Sequence, residues 1–287
     1  MSKSKRQPKQ APFSAVTRLK PVPFFGAILA ILMLLGGILG FRAWQSAQTL
    51  ENGAPFSKLP ALKSEFSMGT FDLKKPVVDL SAFQAHTAID YDKLSGAISG
   101  AIVRVQHGTK QTASATITSA GVDTQYKYHM TQLQSRGIPV AAYAYVDGKS
   151  TADMIAQAKA FYENAKAYQP TFYWIDAEAV SMTNLNAGLL AYKNELVKLG
   201  VPATKIGLYS YAAFISENKL ITGNFSAIWV ASYGLTDDGT YTAATGLSYP
   251  FVLQQYTAKG TLSGYSGALD LDRLSSQAAY NQIFLGK

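Results

Sequence analysis

The chain has no cysteine. That absence excludes a disulfide scaffold, a thiolate zinc site and a cysteine nucleophile, and leaves the compartment open. Charge is scarce as well: Asp, Glu, Lys and Arg make up 15% of the 287 residues, against 48% hydrophobic residues. So much apolar surface excludes a disordered or low-complexity chain. Signatures of phosphate and nucleotide chemistry are missing too. No G-x-G-x-x-G turn follows the first strand candidate, and there is neither a P-loop nor a G-x-S-x-G elbow. His86, His107 and His129 are too scattered to form a metal cluster and are expected on the surface or in loops. No metal or cofactor is expected.

What charge there is lies unevenly. The net charge is +8, which by itself would suggest nucleic acid. Yet Lys3, Lys5, Arg6, Lys9, Arg18 and Lys20 fall in the first 20 residues, with no acidic residue among them, and Arg42 follows. From residue 43 onward, 19 basic residues face 18 acidic ones. The basicity is a tail, and no nucleic-acid partner is expected.

Between Lys20 and Arg42 lie 21 uncharged, mostly apolar residues, PVPFFGAILAILMLLGGILGF. About 20 such residues in a helix cross a bilayer core with every backbone polar group satisfied internally. The basic leader orients the N-terminus to the cytoplasm and the remainder outward. The expected organisation is a cytoplasmic tail (1–20), a signal-anchor helix (21–42), a polar, turn-rich stalk (43–73) and one globular domain (74–287). A cleaved signal peptide, giving a secreted form, is the rival reading; the apolar stretch is longer than the usual one and no clean A-x-A site follows it.

Beyond residue 74, short apolar runs recur. Strands are expected at 76–80 (PVVDL), 101–106 (AIVRVQ), 139–146 (PVAAYAYV), 171–176 (TFYWID), 205–210 (KIGLYS), 227–232 (AIWVAS), 251–256 (FVLQQY) and 268–271 (ALDL). Helical stretches are expected at 151–168 and 184–199 and before Gly137, with less helix late in the chain. Strands alternating with helices predict a parallel α/β sheet. Eight of them predict a modified TIM-like (β/α) barrel with fewer than eight helices.

In such a barrel the active site lies at the C-terminal ends of the strands. Asp79 ends the first run, Asp176 the fourth with Glu178 two residues on, and Asp270 lies in the last. In extended backbone Trp174, Asp176 and Glu178 share a face. Two carboxylates so close repel, which raises one pKa and keeps a carboxylic acid beside a carboxylate. That combination suits glycosidic bond cleavage. Tyr143, Tyr145, Trp174, Tyr209, Trp229, Tyr233 and Tyr256 cluster in or just after the strands, where rings can stack on sugars or fill the core. Tyr145, Tyr209, Trp229 and Tyr233, nearest the C-terminal ends, are the candidates for substrate binding.

The motifs VVDLSAFQ, AIVRVQHGT, AAYAYV, YWIDAE, IGLYS, IWVASYG, QQYT and GYSGALDLDR, in this order, make residues 75–284 similar to glycoside hydrolase family 25, the Chalaropsis-type lysozymes. The resemblance implies a modified eight-stranded barrel and hydrolysis of the β-1,4 bond between N-acetylmuramic acid and N-acetylglucosamine in peptidoglycan. It implies Glu178 as general acid, Asp176 as its partner, and Asp79 and Asp270 completing the cluster, with Asp272 a competitor for the last place. Gln84 and Gln255, in the matching motifs, join the substrate-binding set. Retaining and inverting routes stay open. Two departures stand out: Ile89-Asp90-Tyr91 where the family commonly has Ile-Asp-Trp, and Gln254 where it often has tryptophan. Both are expected at the rim of the site, where they would bear on substrate preference. The alternative function is a membrane-tethered peptidoglycan-binding or wall-assembly protein with an impaired barrel.

Overall fold

The computed structural model describes residues 72–287. The expected tail and span, and all but the end of the expected stalk, lie outside them. Among the described residues no helix is long and apolar enough to cross a membrane.

Eight strands close into one barrel in chain order: β1 (Val77–Leu80), β2 (Gly100–His107), β3 (Val140–Tyr145), β4 (Tyr173–Asp176), β5 (Ile206–Tyr211), β6 (Ile228–Ala231), β7 (Leu253–Leu262) and β8 (Tyr265–Leu274). Six helices accompany them: α1 (Tyr91–Ala97), α2 (Tyr126–Gln134), α3 (Thr151–Ala165), α4 (Leu185–Lys198), α5 (Ala212–Glu217) and the short α6 (Gln277–Tyr280). The longer helices begin where the sequence offers a cap. The Ser150 hydroxyl accepts from the Asp153 N–H at the start of α3, and the Asn184 side chain accepts from the Ala187 N–H at the start of α4. Helix α3 buries Met154, Ala158, Phe161 and Ala165, a stripe at helical spacing that packs on the barrel. Each large apolar side chain so buried contributes roughly 1.5–3 kcal/mol.

Strands β1 to β7 run parallel, but β8 runs antiparallel to both β7 and β1. This corrects the all-parallel expectation. The last two apolar runs, read as 251–256 and 268–271, leave 11 residues between them, too many to announce a tight hairpin and close to the shortest parallel crossover. The strands in fact continue to Leu262 and restart at Tyr265, and two residues permit only a hairpin, since a parallel connection needs a dozen or more. At that turn Gly264 has φ +102°, and a Cβ there would meet the Asp90 carbonyl oxygen at 2.5 Å. The hairpin tip thus docks on the start of α1, with the Asp90 N–H donating to the Gly264 carbonyl at 2.8 Å.

Alternation along the strands sorts the core into two shells. Val78, Ile175, Leu208 and Val230 face outward to the helices, whereas Val77, Ile102, Phe172, Trp174, Trp229 and Leu253 fill the interior. Ile283 and Phe284, just past α6, join the interior set, and Phe284 presses so close to β2 that a Cβ at Gly100 would lie 2.6 Å from its ring. Between β6 and β7 no helix forms. Instead the 232–252 loop is stapled by the buried Gln254, which donates to the Ser232 and Thr242 carbonyls and accepts from the Ala244 N–H.

Candidate active site

The interior apolar shell stops short of the C-terminal mouth, and polar side chains take over. Asp79 is one inward step above Val77, and Asp176 one above Trp174. Because β8 runs the other way, Asp270 reaches the same level from mid-strand, paired with Asp79. The backbone of β4 ends at Asp176, and Glu178 follows in the loop, less buried than its neighbour. Asp79, Asp176, Glu178 and Asp270 line one cavity of about 190 Å³, with Tyr143, Tyr209, Trp229, Tyr233 and Gln255 as walls. Gly207 on β5 makes room for Trp174: a Cβ would meet the indole at 2.3 Å.

Gln255 organises one side of this cavity. Its Nε2 donates to Asp79 Oδ2 at 2.8 Å, while its Oε1 accepts from the hydroxyls of Tyr209 and Tyr233. Two tyrosines thereby fix the amide orientation, and the amide orients Asp79. Beneath lies Asp272, fully buried, with Oδ1 accepting from Trp229 Nε1 at 2.7 Å and Oδ2 unpartnered. The residue that competed with Asp270 in the sequence therefore supports the indole wall and does not line the cavity.

Burial dominates the electrostatics. It pushes the Asp79 carboxyl well above the usual carboxylate range, repulsion from Asp270 adds to this, and the Gln255 amide pulls back. Asp176 is also raised well above that range, by burial and then by Glu178 beside it. Glu178 is raised by burial. Asp270 is pushed up to about 6 by burial and by repulsion from Asp237 and Glu178. Asp176 draws Glu178 part of the way back down, and Glu178, the more exposed of the two, is the one placed to exchange a proton with an atom in the cavity.

Of the residues expected to bind substrate, Tyr209, Trp229, Tyr233 and Gln255 line the cavity. Tyr145 is outside that lining, at the end of β3 opposite Asp176, its ring 4.3 Å from that of His107. Gln84 is also outside it, its Oε1 accepting from the Ser81 N–H in the turn after β1. Tyr143, named among the strand aromatics but not among the substrate-binding candidates, is a wall. The two departures are not at the rim. Tyr91 is buried on α1 with its hydroxyl 2.8 Å from His129 Nδ1, and Gln254 faces outward under its loop. His129 itself is fully buried, against the expectation of a surface position, because its two ring nitrogens reach Tyr91 and the Ser81 carbonyl. Asp237 went unnoticed in the sequence. It accepts from the Thr257 hydroxyl and the Ala258 N–H beside Asp270.

Two neighbouring carboxyls raised by burial, further carboxyls across a small aromatic-walled cavity, and a barrel that presents them together are the working parts of a glycoside hydrolase. The sequence profile described as Glycosyl hydrolases family 25 matches residues 78–265, and the chain belongs to that family. Among solved structures it is similar to the virulence factor GHIP of Streptococcus pneumoniae, a glycosyl hydrolase 25 described as participating in host cell invasion. The identity is 39%, the TM-score 0.70, and the match covers 74% of this chain and 94% of that one. A family 25 glycosyl hydrolase from Bacillus anthracis is 20% identical, TM-score 0.55, covering 73% and 93%. The bacterial lysozyme from Streptomyces coelicolor is 19% identical, TM-score 0.54, covering 72% and 95%. These last two bear on the fold alone. No curated protein matched the chain.

Proposed function

We propose that this chain is a muramidase, a peptidoglycan hydrolase that cuts the β-1,4 bond between N-acetylmuramic acid and N-acetylglucosamine. The observation that carries this reading is the single cavity lined by Asp79, Asp176, Glu178 and Asp270 in a family 25 barrel. Glu178 protonates the glycosidic oxygen as the bond breaks. Asp176, with Asp79 and Asp270, stabilises the positive charge that develops on the sugar. Tyr209, Trp229 and Tyr233 offer ring faces and hydroxyls to the glycan. The apolar 21–42 stretch holds the domain at the outer face of the cell membrane, with 43–73 as a stalk, so that tethering keeps the enzyme beside its substrate.

Incubating the full chain with purified peptidoglycan tests the chemistry. Release of fragments with N-acetylmuramic acid at the reducing end is expected, and fragments ending in N-acetylglucosamine would overturn the bond assignment. Intact glycan would favour the alternative of a wall-binding protein, against which the complete carboxylate set speaks. Cell fractionation with protease added from outside tests the tether.

A further inference from the structure

Arg104 is the only lysine or arginine buried among the described residues, and no step above uses it. It interrupts the otherwise apolar start of β2, one inward step above Ile102, whose Cα pairs with that of Asp79. On its other side it pairs with Tyr143, which pairs with Trp174, directly below Asp176. Its Nε donates to Asp123 Oδ2 at 2.9 Å. Asp123 is already held by the N–H groups of Ala82 and Gln125, at 2.9 and 2.8 Å. Phe83 covers the guanidinium at 5.1 Å. The Nη2 donor is buried without a hydrogen-bond partner.

A buried ion pair is a poor device for stability, since apolar residues of like volume often serve as well or better. Its place in a barrel crowded with carboxyls gives it another use. Asp79 faces Asp270 and Asp272 from β8, Glu178 from beyond β4 and Tyr143 from β3. Asp176 faces Glu178, Asp79, Tyr145 from β3 and Tyr209 from β5. Asp237, from the β6–β7 loop, faces Asp270. On β2 itself His107 lies near Arg104, with Asp147 beyond it. Among the described residues, the positive charge that bears on both buried aspartates is Arg104.

We infer that Arg104 is a positioning residue acting through its field: a buried counter-charge, aimed by Asp123, that keeps Asp79 and Asp176 from being locked in the protonated form. This rests on the muramidase reading and goes beyond it, assigning the acid limb of the pH profile to a pair that never touches the glycan. Arg104 draws both aspartates downward against the effect of burial.

The test is an NMR titration of the Asp and Glu carboxyl carbons in the full chain held in detergent, with the pH profile of reducing-end release measured alongside. In Arg104→Met, Asp79 and Asp176 should titrate higher, by about one pH unit, and the acid limb should follow. In Asp123→Asn, which leaves the cation unopposed, both should move lower. Arg104→Lys should restore near wild-type titration. A pair with a merely structural role would shift both single variants the same way or neither, and either result overturns the inference. Should Arg104→Met fail to fold, Arg104→Met with Asp123→Asn removes both charges together, and unchanged titrations in that variant would sink the idea. If the wild type releases no reducing ends, the muramidase reading fails, while the carboxyl titrations still decide the role of Arg104.

Discussion

Replacing Asp270 by asparagine separates stability from catalysis in a way that can be measured against pH. Asp270 is held at about 6, against an ordinary 3.8, first by burial and then by repulsion from Asp237 and Glu178. A folded-state pKa above the unfolded one means that the native state holds the proton more tightly. The stability it contributes is therefore complete below about pH 4 and is lost as pH rises through about 6. At about 1.4 kcal/mol per pH unit the loss is about 3 kcal/mol. Asparagine keeps the shape and never ionises. Asp270→Asn should thus match the wild type near pH 3.5 and exceed it by up to about 3 kcal/mol at pH 8. For a domain of this size that is a gain of roughly 6–12 °C in Tm. Thermal and urea denaturation followed by circular dichroism across that range provide the measurement. The same variant should lose hydrolysis, because Asp270 lines the cavity. A stability gap that does not change with pH, or that widens toward acid, would refute the electrostatic account of Asp270.

Glu178→Gln should reduce release of reducing ends by about 10²–10⁴-fold with Tm retained, since a positioned general acid is worth about that much. Because the wild-type acid must be protonated and burial raises its pKa, activity should fall as pH climbs past that raised value. Gln254→Ala removes three hydrogen bonds from the 232–252 loop; a loss of about 2–4 kcal/mol is expected, with faster amide exchange at Ala244. Gly207→Ala would drive a methyl into the Trp174 ring. Overpacking of this kind costs about 1–3 kcal/mol, and a changed near-ultraviolet spectrum should report the displaced indole.

Much of the barrel was legible because β1 to β6 are short runs buried on both faces, so each stands out as an apolar island between helices or turns. The last hairpin was harder. Beyond Tyr256 the sequence Thr257-Ala258-Lys259-Gly260 is that of a loop, yet β7 continues through it, because those residues extend past the closed part of the barrel and Lys259 can face solvent. The four cavity carboxylates were readable since each lies in or just past an apolar run. Arg104 carried the same kind of signal, a charge inside AIVRVQ, but its partner Asp123 comes from a distant loop that no local pattern ties to β2. Tyr91 and Gln254 show the limit of motif comparison. Their change from the family pattern is plain in the sequence, whereas their outward, buried placement follows only from packing against His129 and the 232–252 loop.

The pairing of Asp79 with Asp270 joins the first strand of the barrel to the last. Among the strand pairings this one spans the most chain, and contacts of that kind are the most costly in loop closure to form. The carboxylates of the cavity are consequently strangers to one another until the ring shuts. A half-made chain carries Asp79, Asp176 and Glu178 but lacks the wall opposite them, and possesses no enclosed place to hold a sugar. For an enzyme that cuts the polymer on which cells rely for their shape, assembly itself then serves as the safety catch, released only when the last strand closes the ring.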